Sequence, residues 1–381
     1  MIEVEVLRGV AGLEKIRQEW HSLLNQHPQP RFFHFYEWWQ AYLKALESAP
    51  DSVHFILFRD QQHPVAIVPL KHRVWRMFGL PVRELGFPNH PHMPLQDALY
   101  LPGTEVASLI TEWFKRSGRE AGLPWDLVRC YGVMSESSLA LSSTQGFEKR
   151  KGQACAYLEC TRPYEEIFHG FSKNMQANLR RARNRWTKET DGRFFIVTEP
   201  AEMQARFQDF LRLEASGWKG ASGSRTAIAL HSDLKLFYET LLNGFSSSGS
   251  VQLHCLELRG EVIAADFCVS DHDTLYLLKT GYNEDWSRLS PGALLCEYAL
   301  QYAASEASIK HVNLIADMEW SRSWRPKIFE VQNLILFNST PVGTLCRTGM
   351  NLKKNLARLC EKYAAPNAIK IPLGWIGIRR Q

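Results

Sequence analysis

Arg288, Ser290, Gly292, Ala293 and Leu294 stand where an apolar strand pattern gives way to an apolar helix pattern. Leu275-Tyr276-Leu277-Leu278-Lys279-Thr280 reads as a buried strand. A helix is expected from about Pro291 to Ser305, with Glu297 as its one charge. Ser290 suits the N-cap, where its oxygen accepts from a first-turn amide. Pro291 suits the first helical position, which needs no N–H. Gly292 and Ala293 have almost no side chain, so a ligand can approach the backbone closely. Exposed amides, the positive end of a helix dipole and the Arg288 cation together suit an anion, and a pyrophosphate is the natural guest. The same letters also spell an ordinary, well-capped buried helix.

Other polar residues have two readings each. Asp266 interrupts the apolar strand Ala264-Ala265-Asp266-Phe267, and a charge there needs a partner. It is either a base or, as the favoured reading, one half of a pair with Lys279 on the neighbouring strand. Glu214, Trp218 and Lys219 cluster at a helix end before Gly220 and Gly223. They form a loop that could close over a substrate, or a plain helix terminus with a glycine stop. Arg180, Arg181, Arg183, Arg185 and Lys188 read as a solvated helix face or as a surface for a phosphorylated or carrier-linked substrate. His90-Pro91-His92 has no third ligand nearby, so no metal is expected. G-x-S-x-G, P-loop, H-E-x-x-H and G-x-G-x-x-G motifs do not occur.

The elements that must hold these residues follow from the rest of the chain. At 381 residues the default is two domains. An apolar content of 45% with 12 Trp marks large cores. The net charge of +5 suits an anionic ligand and falls short of a nucleic-acid footprint, so no DNA partner is expected. The start of the chain alternates like a strand and lacks a signal pattern. No apolar run is long enough to span a membrane. The eight Cys form no C-x-x-C, and buried free thiols in a cytoplasm are expected.

A hairpin, strand, helix, strand, helix, strand order occurs twice. The first hairpin turns at Asp60-Gln61-Gln62-His63 and the second at Arg259-Gly260. The first series is closed by a strand near Ala154 to Leu158. The second ends with strands His311 to Ile315 and Val331 to Phe337 around a short helix near Glu319. Helices are expected over Ser172 to Glu189 and Ala201 to Ala215. The domains are therefore placed at 1–160 and 161–340, with a basic tail over 341–381. In that tail Leu352, Leu356, Leu359 and Tyr363 make an apolar stripe beside Lys353, Lys354, Arg358 and Lys362. It could touch an anionic membrane surface, although a helix packed back on the domain is the favoured reading.

Three segments in register carry a resemblance. They are Phe171-Ser172-Lys173-Asn174 with Asn178 to Arg183, then Glu214 to Gly220, then Gly281-Tyr282-Asn283 leading to Ser290 to Leu295. Together they resemble the GNAT-type acetyltransferases of the CelD-like, cellulose-biosynthesis-associated group. These are similar to the Fem aminoacyl transferases in having two tandem GNAT folds. The resemblance covers roughly residues 1–340 and implies an α/β fold of two GNAT-like domains with mixed sheets. It also implies acetyl-CoA, or another acyl-CoA, bound at the turn after the fourth strand of the second domain. Arg288 lies four residues before Gly292, which departs from the family turn, so the amides of Gly292 to Leu295 are the safer cofactor-binding assignment. Ala316-Asp317-Met318-Glu319-Trp320-Ser321-Arg322 departs from a Gly-Asp-Glu-x-Tyr-Lys-like segment while keeping its acids.

Aminolysis of a thioester needs a neutral amine, a donor to the oxyanion and a proton for the thiolate. Asp317 and Glu319 could each serve as base, directly or through water. Each could equally be a helix cap or a solvated side chain. Tyr282 and Tyr298 are candidate acids, though Tyr is also an ordinary core residue. The resemblance favours substrate-binding roles for Glu214, Trp218 and Lys219, beside Asp266. The expected function is an N-acyltransferase acting on an amine of a sugar, a polysaccharide precursor or a small metabolite. Two alternatives stay open: a Fem-like transfer from aminoacyl-tRNA, disfavoured by the lack of a long helical arm, and a non-catalytic scaffold in polysaccharide assembly.

Overall fold

The computed structural model describes residues 2–116, 122–141, 146–189, 191–245 and 250–363. The chain forms two compact units, and neither is a continuous stretch. The first takes the residues up to Gly12, Asp51–Gly152 and the stretch from Gln332 onward; the second takes Leu13–Pro50 and Gln153–Val331. One divide falls after Gly152, and others fall after Gly12, Pro50 and Val331. The additional exchange of segments is not visible in the order of elements.

The first unit is built on a mixed sheet. Its strands are β1 (Ile2–Arg8), β2 (Val53–Asp60), β3 (His63–Met77), β4 (Leu80–Gly86), β5 (Leu99–Tyr100), β6 (Leu127–Met134), β7 (Glu148–Lys151) and β15 (Val331–Phe337). They run in the order β1-β2-β3-β4-β6-β15-β7, with β5 on β3. Its helices are α1 (Gly9–Lys15), which runs across the boundary with the second unit, α4 (Val106–Arg116), α5 (Ser138–Leu141) and α11 (Pro341–Tyr363). Alternation along β6 sends Val128 to a core with Ile110 and Trp113 of α4, and Leu127 to a second core with Cys346 of α11. The start of the tail is thus packed on the sheet. The side chains of 353, 354 and 356–363 and all of 364–381, where all of the expected basic apolar stripe but Leu352 falls, lie outside the described residues.

The second unit holds β8 (Cys155–Glu159), β9 (Arg193–Val197), β10 (Val251–Leu258), β11 (Glu261–Ser270), β12 (Thr274–Tyr282), β13 (His311–Asn313) and β14 (Lys327–Phe329). Their order is β14-β8-β13-β12-β11-β10-β9. Its helices are α2 (Arg17–Gln26), α3 (Tyr36–Ala41), α6 (Tyr164–Gly170), α7 (Lys173–Trp186), α8 (Pro200–Ser216), α9 (Ser232–Phe245) and α10 (Pro291–Ser305). One sheet face packs on α6, α7 and α10, with Cys268, Leu275, Leu277 and Val312 meeting Phe168, Leu179, Cys296 and Ala299. The other face packs on α8 and α9, where the Phe267 ring meets those of Phe207, Phe210 and Tyr238. Both sheets are mixed, as the α/β expectation has it.

The strand grouping differs from expectation in one respect. β8, expected to close the first series, lies in the second unit's sheet, and β15, expected to close the second, pairs with β7 in the first. Pairing of edges, which no single strand encodes, decides this. The two hairpin turns fall where expected. Gln61-Gln62 and Arg259-Gly260 both have positive φ at each position, the two-residue geometry that matches strand twist.

Candidate active site

The geometry of the candidate site starts from β12. Its pairing with β13 covers only Thr274, Leu275 and Tyr276. Beyond Asn313 the chain stays with β8, through Leu314 N–H to Ala156 C=O and Asp317 N–H to Ala154 C=O. Among the described residues the edge of β12 from Leu277 to Tyr282 therefore has no strand beside it. Such an edge presents unpaired peptide groups to whatever lies along it.

On its other side β12 pairs with β11, and a bulge interrupts that pairing. Cys268 faces Leu277 but Phe267 faces Lys279, so Leu278 is the extra residue. Without the bulge Asp266 would face Lys279, the pair expected from the sequence. The shift places Asp266 opposite Thr280 and sends Lys279 to the opposite face, opposite Phe267. The expected Asp266–Lys279 pair is thus not formed. Asp266 is fully buried among apolar neighbours with Oδ1 unpartnered among the described residues. Burial pushes its carboxyl up to about 7, against a hydrogen bond from Thr280 and the field of Lys219.

At the end of the open edge a 3-10 turn, Glu284–Leu289, leads into α10. Ser290 sits there in the left-handed region (φ 54°), and its hydroxyl makes no capping bond. The expected side-chain cap is replaced by the Ser290 carbonyl, which accepts from the amides of Ala293 and Leu294 at 3.0 and 3.1 Å. The preceding turn sets this, because it delivers Ser290 with its carbonyl, not its hydroxyl, toward the helix. A Cβ on Gly292 would meet the Tyr282 ring at 3.3 Å, so that ring lies over the first turn of the helix. Arg288 is exposed and engaged with Glu189 at 3.1 Å, which also takes Arg259 at 3.2 Å. Both guanidiniums lie over the Trp286 ring. Arg288 is therefore part of a surface cluster beside the helix start. The buried Glu297 of α10 accepts from the Tyr164 hydroxyl and has Arg183 at 3.5 Å. Tyr298 stacks on Phe194 at 5.0 Å, a core role.

The residues expected at the end of α8 do come together. Buried Glu214 accepts from the Ile228 amide at 2.7 Å and holds the Lys219 ammonium at 3.3 Å. Lys219 also donates to the Thr280 carbonyl at 3.1 Å, which ties the loop after α8 to β12. Gly281 makes this approach possible, since a Cβ there would sit 2.6 Å from the Glu214 amide nitrogen. Trp218 is 63% exposed on that loop, with the Lys219 ammonium 5.9 Å from its ring. Lys279, given only a pairing role by the sequence, lies on this same face. Among the described residues no hydrogen bond or ion pair engages its ammonium. Burial and the neighbouring Lys219 push it down to about 8, against the pull of Glu214. The signal for its placement was the bulge, which pairing alone creates.

Asp317 and Glu319 leave β13 differently from expectation. Ile315 takes a left-handed conformation (φ 68°), unusual for a β-branched residue, with its amide bonded to Asn313 Oδ1 at 2.7 Å. Asp317 is half-buried, 4.0 Å from Arg322, and Glu319 is exposed at the start of the 3-10 turn Glu319–Trp324. No described hydrogen bond or ion pair joins either acid to β12 or α10. Among the described residues no group of three His, Cys, Asp or Glu side chains could hold a metal ion.

Comparison with known proteins bears on this region. No curated protein matches the chain in sequence. In fold the chain is similar to FemX, at 9% identity with a TM-score of 0.57, over 86% of this chain and 97% of that one. It is also similar to a conserved protein of unknown function from Bacteroides thetaiotaomicron, at 14% identity with a TM-score of 0.54, over 84% and 97%. A third is L-PGS from Bacillus licheniformis, at 14% identity with a TM-score of 0.51, over 86% and 94%. Residues 173–321 match the family described as acetyltransferase (GNAT) domain. That stretch contains every site residue named above from Glu214 to Glu319, and it falls within the second unit.

Proposed function

We propose that the second unit is an acyl-CoA-dependent N-acyltransferase with acetyl-CoA as donor. The observation that carries this reading is the open edge of β12 leading directly to the start of α10. A thioester carrier needs both features. Its diphosphate would lie at the first turn of α10, on the Gly292 amide and beside Ala293 and Leu294, whose amides are already bonded to the Ser290 carbonyl, where the helix dipole favours negative charge. Its amide-bearing arm would take the peptide groups that β13 leaves free, other than the Thr280 carbonyl held by Lys219. Gly292 and Ala293 are only half-buried, which supports access to this turn beside the Tyr282 ring.

The acceptor amine would approach between the β12 edge and the loop after α8, where Trp218 supplies an apolar wall and Lys219 a cation. We assign the acceptor as an amine of a sugar, a polysaccharide precursor or a small metabolite. As the amine adds to the thioester carbonyl, Asp317 or Glu319 would take its proton, directly or through water, and Tyr282 would protonate the departing thiolate. Seven described cysteines are free and buried, which suits a protein working in the cytoplasm.

A second reading is transfer from aminoacyl-tRNA. The exposed Arg180, Arg181 and Arg185 on α7, with Lys188 just beyond its end, favour it. Titration calorimetry separates the two. Saturable binding of acetyl-CoA supports the first, whereas tRNA binding that weakens steeply with salt, without acetyl-CoA binding, replaces it with the second.

A further inference from the structure

Lys279 is half-buried in the middle of the open β12 edge, and its ammonium has no hydrogen-bond or ion-pair partner among the described residues. Its neighbour Lys219 is already committed to Glu214 and to the Thr280 carbonyl. An ammonium removed from water without a counter-charge is costly, so the neutral amine forms at a lower pH than on an exposed lysine. The surroundings act in that direction, because Lys219 repels a second positive charge and Glu214 offsets this only in part. The bulge at Leu278 places this amine on the face of β12 that carries the α8 loop, the face from which an acceptor would come.

We propose that Lys279 is a self-acylation site, modified on its side-chain nitrogen by the acyl-CoA that the enzyme binds. This rests on the acyltransferase reading given above. The neutral Nζ adds to the thioester carbonyl carbon, a C–N bond forms, and the C–S bond breaks. Sulfur leaves with the bonding pair and takes the proton that the nitrogen sheds. The products are an Nε-acyl-lysine and free CoA thiol, and no further reactant is needed. The resulting amide is neutral and fills space on the acceptor side, so modification would slow transfer to an external amine.

The test uses the full chain with acetyl-CoA and no added amine, from about pH 7 to about pH 9. Peptide mapping by mass spectrometry follows Lys279 against the exposed Lys173 and Lys188. Lys279 should acquire one acetyl group at least about ten-fold faster than these two, faster at higher pH, and excess free CoA should suppress it. Lys279→Arg should remove the adduct. Calorimetry on the same sample keeps the two ideas apart. Acetyl-CoA binding with Lys279 unmodified, or modified no faster than Lys173, overturns the self-acylation site alone. Absence of acetyl-CoA binding overturns the acyltransferase reading itself.

Discussion

Gly281 of β12 lies against the main chain of Glu214, close enough that a Cβ would sit 2.6 Å from the Glu214 nitrogen and 2.8 Å from its Cα. Backbone is on both sides, so neither can yield cheaply. Gly281→Ala should destabilise the protein by about 1–3 kcal/mol, read as a lower urea midpoint. It should also loosen the loop that Glu214 and Lys219 anchor, with faster proteolysis between Gly217 and Thr226. An unchanged midpoint would show that α8 is not seated on β12 in this way.

Gly292 has a different neighbour. A Cβ there meets the exposed Tyr282 ring, which can turn aside, so Gly292→Leu should leave thermal stability nearly unchanged. The added side chain would cover the first turn of α10 and its Gly292 amide. Acetyl-CoA affinity should fall at least about ten-fold, or about 1.4 kcal/mol by calorimetry. Full affinity in a folded variant would remove the helix start from the carrier site.

Asp266 gives a pH dependence of definite sign. Its folded carboxyl is raised by burial from 3.8 to about 7, so between those values the folded state holds a proton that the unfolded state has lost. Rising pH through that window therefore favours unfolding, and the effect is complete above it. Asp266→Asn does not titrate and can keep the bond from Thr280. Its stability advantage over the parent should grow from about pH 4 to about pH 7 and then level off, at a few kcal/mol in urea titrations. An advantage that is constant with pH would mean that Asp266 is ionised in the fold.

Phe78 offers a test in the first unit. It occupies the first position of the two-residue turn between β3 and β4 with φ 50°, and it is 76% exposed. That conformation suits Asn far better than a bulky residue, and little burial is at stake. Phe78→Asn should raise stability by about 1 kcal/mol, seen as a higher melting temperature. A drop would reveal packing for Phe78 that its exposure does not suggest.

Much of this architecture was legible in local patterns. β12 and α10 fall where an apolar run and a Pro-Gly start put them, and Arg259-Gly260 turns as a hairpin should. α9 is absent from the sequence expectations although Leu234, Phe237, Tyr238, Leu241, Leu242 and Phe245 carry a full helical stripe. The short β9, with only Val197 fully buried, gives no comparable signal. The bulge at Leu278 was beyond local reading, because register is a property of two strands, and it decided the neighbours of both Asp266 and Lys279. The left-handed Ser290 was similarly hidden, since a serine before a proline reads as a side-chain cap.

The crossing of β8 and β15 bears on how the chain matures on the ribosome. β15 lies between β6 and β7, so the first unit's sheet stays incomplete until Phe337 has emerged, long after β1 to β6 have been made. The earliest-synthesised strands must wait for almost the last. Release of the two units into finished form is therefore nearly simultaneous, and a nascent chain halted before β15 would carry an unfinished edge open to aggregation.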